Sequence, residues 1–127
     1  MEESLQASWD SQLEVAQVFD DGNRGDHSWV PPIMTALVTA VSNTSLRRLH
    51  PFKAMASLGL STGAHFWEPG AGVKIAPAFV SLDRDGHYNI WSGPIYPKDA
   101  EEALLVCATD DPARAAAELE RLLADWS

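Results

Sequence analysis

The first apolar stripe has helical spacing. Leu5, Trp9, Leu13 and Ala16 recur every three or four residues, with Val18 and Phe19 closing the stripe, which predicts an amphipathic helix over 4–19. Asp20-Asp21-Gly22-Asn23-Arg24-Gly25-Asp26 then breaks the pattern, so 20–28 reads as a turn-rich polar loop with the composition of a mobile segment. A second helix is expected to start near Pro31, whose missing N–H costs nothing in a first helical turn. Val30, Met34, Leu37, Val38 and Val41 form its buried stripe. Ser45 can cap a further short turn over 46–49, which His50-Pro51 ends because the residue before a proline avoids the helical region.

After Phe52 the period changes from helical to two. Ala54, Ala56, Leu58 and Leu60 alternate with Met55, Ser57 and Gly59, which predicts one strand. Residues 61–72 are rich in glycine and carry His65, Phe66 and Trp67, the composition of an exposed loop. A second strand is expected over 73–82. Pro77 removes a ladder donor from it, so this strand should be an edge strand or bulged. Asp83-Arg84-Asp85-Gly86 predicts a type I turn closing a hairpin, with Tyr88, Ile90 and Ser92 alternating with Asn89 and Trp91 on the returning strand.

Asp99 and Glu102 have capping-box spacing and predict a helix over 100–108, with Ala103, Leu104 and Cys107 inward. Asp111-Pro112 opens a last helix. Ala116, Leu119, Leu122, Leu123 and Trp126 line one face of it, with Arg114 and Glu118 paired at i,i+4 on the other. The expected architecture is a single α+β domain over 1–127, of order α-α-β-β-β-α-α. A small antiparallel sheet of about three strands would pack against the helices.

Charge narrows the partners. Eighteen Asp and Glu against nine Lys and Arg give a net charge of −9. Such a surface repels nucleic acid, whose binding needs clustered cations, and can steer a basic partner. No stretch approaches the roughly 18 apolar residues of a membrane span. Met1-Glu2-Glu3-Ser4 is acidic, unlike a secretory signal, and the single cysteine, Cys107, excludes an internal disulfide. These features lead to the expectation of a cytoplasmic protein that binds neither nucleic acid nor membrane; they say nothing of its oligomeric state.

The short motifs each lack a part. Gly59-Leu60-Ser61-Thr62-Gly63 matches a nucleophile elbow, with Asp83 and His87 following in the right order. No helical pattern follows Ser61, so a plain strand end is expected. Asp83-x-Asp85-Gly86 resembles the middle of a calcium loop, but Ser92 stands where the bidentate acid is due. The four histidines have no metal-ligand spacing, and Gly70-x-Gly72 lacks the third glycine of a dinucleotide site. Cys107 reads as an inert buried thiol. No metal or cofactor is expected. Trp9 and Trp126 fall on helical stripes and read as core. Trp91, with His65, Phe66, Trp67, Tyr88 and Tyr96, forms a candidate aromatic binding set, since exposed aromatics mark binding surfaces. The alternative is that each tryptophan closes part of a small core.

Leu46-Arg47-Arg48-Leu49-His50-Pro51-Phe52, Gly86-His87-Tyr88-Asn89-Ile90 and Glu101-Glu102-Ala103-Leu104 follow one another along residues 30–108. In this order they resemble the actinobacterial domain-of-unknown-function family 6193, whose members are associated with natural-product biosynthesis. Lys53-Ala54 stands where that family tends to carry Ser-His. The resemblance implies a biosynthetic or accessory gene context and transfers no catalytic residue. The expected function is that of a non-catalytic accessory protein binding a protein or peptide partner, basic by charge complementarity. An immunity-type protein neutralising a basic toxin is one alternative, and a small enzyme using Ser61, His65 and His87 is another.

Overall fold

The computed structural model describes residues 5–22, 30–63, 72–95 and 102–126. The first stripe forms α1 (Leu5–Asp20), which buries Trp9, Ala16 and Phe19. The second forms α2 (Met34–Ser42), which buries Met34, Leu37, Val38 and Val41. α2 begins three residues after Pro31, and its N-cap residue, Ile33, makes no side-chain cap. The cap comes from 14 residues upstream: Asp20, the last residue of α1, accepts the N–H of Met34 at 3.0 Å and that of Thr35 at 2.8 Å. A 3-10 turn (Ser45–Arg48) follows, capped by the Thr44 side chain rather than by Ser45. The Ser45 N–H and hydroxyl instead both donate to Glu120, and these bonds hold the Glu120 carboxyl below its usual pKa.

Beyond this point the order departs from expectation. The single strand predicted around 54–60 is a hairpin, β1 (His50–Ala54) and β2 (Ser57–Ser61). Its turn falls at Met55-Ala56, and Met55 adopts the left-handed conformation at φ 56° that glycine or asparagine usually takes. The next strand, β3 (Ala78–Leu82), begins just after Pro77, so the missing proline N–H interrupts no pairing within it. The Pro77 carbonyl accepts the N–H of Gly93. β3 is therefore the middle strand of the sheet and not an edge. The 83–86 turn forms as predicted, with Gly86 at φ 82°, and leads to β4 (Tyr88–Ser92).

The helix predicted over 100–108 is also corrected. Residues 104–109 form a strand, β5 (Leu104–Thr109), paired antiparallel with β4, and Glu102 precedes it in non-helical backbone. Asp99, the expected cap, lies outside the described residues. Cross-strand pairing outweighs the weak helix propensity of a segment that includes the β-branched Val106 and Thr109. Asp111 then caps α3 (Pro112–Leu122) by accepting the Ala113 N–H, as its sequence predicts. The described order is α-α-β-β-β-β-β-α, an α+β arrangement with five strands in the meander β1-β2-β3-β4-β5.

All three helices pack on one face. α1 lies against β1, α3 against β3, β4 and β5, and α2 against both other helices. Leu58, Leu60, Val80, Leu82, Ile90 and Tyr88 point into this core from the sheet, and Leu37, Ala116 and Leu119 meet them from the helices. Polar ties fix the layer. Trp9, which is core as expected, donates its indole N–H to the Arg47 carbonyl. The Lys53 ammonium sits 4.7 Å above the Phe19 ring, where burial lowers its pKa. Arg48 donates to the carbonyls of Leu123 and Trp126, holding the tail of the last helix; Trp126 packs half-buried against the core.

Tyr88 is a core residue, 2% exposed, whose hydroxyl donates to the Ile33 carbonyl at 2.8 Å. Burial first, and the charges of Asp20 and Asp111 second, push its phenol pKa from 10.0 up to about 12. Between those values the unfolded chain releases this proton while the folded chain keeps it. Stability should therefore fall as pH rises from 10 to 12, by up to about 1.4 kcal/mol per pH unit. Denaturant titrations at pH 9, 10.5 and 11.5 would measure this slope. Tyr88→Phe should flatten it while costing about 1 kcal/mol at neutral pH for the lost hydrogen bond. An unchanged slope in that variant would assign the alkaline loss to other groups.

Candidate functional site

Alternation along the strands sends every second side chain to the face turned away from the helices. The register determines which ones. Phe79 pairs with Trp91, and Trp91 pairs with Leu105, so these three form a row across β3, β4 and β5. Phe79 and Trp91 are stacked, with ring centroids 6.1 Å apart and planes 13° from parallel. The indole N–H of Trp91 donates to Ser81 Oγ at 2.8 Å, which fixes the orientation of the ring. Both aromatics are half-buried and Leu105 is 53% exposed. A polar row, Ser57, Ser81 and Asn89, lies beside the apolar one. On the β1 side, Phe52 lies over Gly59, where any side chain would collide with its ring. This outer face is aromatic in its centre and bordered by hydroxyl and amide groups. Such a surface suits contact with another polypeptide.

The structure divides the aromatic set read from the sequence. Trp91 lies on the outer face. Tyr88, three residues earlier on the same strand, points the opposite way into the core and is removed from the binding set. His65, Phe66, Trp67 and Tyr96 lie outside the described residues. Phe79 and Leu105 were missed at the sequence level. The parity of β3 and β4 identifies Phe79, whereas Leu105 was hidden in a segment read as helix.

The hydrolase-like residues are not brought together. Ser61 ends β2 and is buried, and its hydroxyl donates to the Gly63 carbonyl at 2.8 Å. The pairing of Ser57 with Ser81 sets the turn carrying Asp83 and His87 at the other end of β2. Four residues of strand, roughly 13 Å, separate the two ends. A Ser–His contact does exist elsewhere: Ser8 Oγ lies 2.7 Å from His50 Nδ1. Ser8 is 7% exposed, and the bond joins α1 to β1.

The Asp83 carboxylate is committed to the hairpin. One oxygen accepts the N–H groups of Asp85 and His87, and the other accepts the Asn89 amide. Partial burial would raise its pKa, but these bonds together lower it below the usual value. Asp85 and His87 lie close enough to share a cation with Asp83. The bonds made by Asp83 tie together the 83–89 turn that its sequence suggested. Cys107 is half-buried against the core on β5.

No family model, curated protein or solved structure matches the chain. Among the described residues, no helix is long and apolar enough to cross a membrane.

Proposed function

We propose that this protein is a non-catalytic accessory protein that holds a protein or peptide partner on the outer face of its sheet. The row Phe79–Trp91–Leu105 carries the reading. The stacked rings offer a rigid apolar contact with little conformational entropy left to lose, and tryptophan is the residue type most often found at binding hot spots. The charge of −9 favours a basic partner. The resemblance of the 46–52, 86–90 and 101–104 segments to family 6193 supports a natural-product gene cluster as the setting. Site-directed photo-crosslinking from Leu105, with Trp91→Ala as the binding-deficient variant, is the experiment that tests this reading.

A further inference from the structure

The two edges of the sheet are built differently. β1 is protected: Pro51 lacks a donor and Lys53 places a charge in the strand. These are the devices by which proteins keep an edge from pairing with another chain. β5, at the other end of the strand order, has neither a proline nor a charge within its six residues, Leu-Leu-Val-Cys-Ala-Thr. Leu104 is 71% exposed, Leu105 53% and Val106 39%, so both faces of its first half are open. The pairing of Ile90 with Cys107 and of Trp91 with Leu105 leaves Val106 as an extra, bulged residue, and bulges are sites where a side chain is redirected. Leu105 also joins this edge directly to the Trp91 row.

The charges at the ends of β5 indicate the occupant. Glu102 lies exposed before the strand, and Asp110 and Asp111 lie exposed after it. A second copy of the chain fits poorly. Antiparallel self-pairing over the whole strand would set Leu104 opposite Thr109 and so Glu102 opposite Asp111, placing like charges at both ends. The complementary strand is apolar over about six residues and basic at each end. We infer that β5 takes up such a Lys- or Arg-flanked extended segment of another protein as a sixth strand, with main-chain hydrogen bonds supplying affinity and Glu102 and Asp110 supplying selectivity. This inference rests on the outer-face reading and specifies the partner for it.

The probe is a fluorescein-labelled ten-residue peptide, Lys-Lys-Val-Thr-Val-Thr-Val-Thr-Lys-Lys, followed by anisotropy against the whole protein. A second peptide has Glu in place of Lys, a third is N-methylated at the three valines, and a fourth at the three threonines. The Lys-flanked peptide should bind, the Glu-flanked one at least tenfold more weakly, and one of the two N-methylation registers at least tenfold more weakly. Glu102→Lys with Asp110→Lys, both at exposed positions, should reverse the preference between the flanks. Binding that ignores flank charge or both N-methylation registers would overturn strand addition. If Trp91→Ala still weakened that binding, the outer-face reading would survive. Binding that follows flank charge and backbone methylation but ignores Trp91→Ala would keep the edge and reject the face. Absence of binding by any peptide, or a micromolar dimer in sedimentation abolished by Val106→Asp, would overturn the inference.

Discussion

Asp20→Ala is expected to destabilise the protein by about 2–3 kcal/mol. The carboxylate accepts the first two N–H groups of α2, and no side chain at the N-cap position takes its place. Met34 is fully buried, so its amide cannot turn to water when the acceptor is lost. An orphaned buried donor costs about 1–3 kcal/mol, and loss of a cap about 0.5–2. The negative charge also complements the positive end of the α2 dipole. Asp20→Asn keeps one acceptor oxygen without the charge and should lose about half as much. Denaturant unfolding measures both, and a loss below about 0.5 kcal/mol for the alanine variant would contradict the role. Removing Asp20 should also lower the Tyr88 phenol pKa, since its charge is the next contribution there after burial.

Gly93→Ala is expected to cost a similar amount and to act on the proposed binding edge. Gly93 ends β4 at φ 134°, a conformation that costs other residues on the order of 1–3 kcal/mol. An added Cβ would also sit 2.7 Å from the Ala103 Cα, which is backbone and cannot rotate away. Ala103 leads directly into Leu104, so relief of the clash requires the start of β5 to move. The loss should therefore be accompanied by faster hydrogen exchange in β5, with α1 and α2 little changed. Uniformly faster exchange, or unchanged stability, would show that this close approach does not position the edge.

The legible parts of the fold are those specified locally. The stripes of α1, α2 and α3 have a helical period, Asp111-Pro112 has a cap at the right place, and the 83–86 turn carries its glycine. The missed parts depend on distant partners or on unusual residues. Met55-Ala56 gives no turn signal because a methionine takes the left-handed position, so a hairpin reads as one strand. β5 conceals its period because bulged Val106 interrupts the alternation, leaving the capping-box spacing of Asp99 and Glu102 to suggest a helix. The Asp20 cap spans 14 residues and cannot be found from either helix alone. For the site, Trp91 was legible as a strand aromatic. Grouping it with Tyr88 ignored the parity that separates residues three apart, and Phe79 becomes a partner only through the β3–β4 register.

The claim that the outer face holds a polypeptide partner is tested most directly by placing photo-reactive benzoylphenylalanine at Leu105. A control places it at Val15, 42% exposed on α1. Both proteins would be irradiated in extract from the source cells. The account predicts one discrete adduct from position 105 and none of that mass from position 15. Adding Trp91→Ala should reduce the adduct by at least about tenfold while the protein stays folded, as expected of a central aromatic hot spot. Equal adducts from both positions, or an adduct from position 105 that Trp91→Ala leaves unchanged, would contradict it.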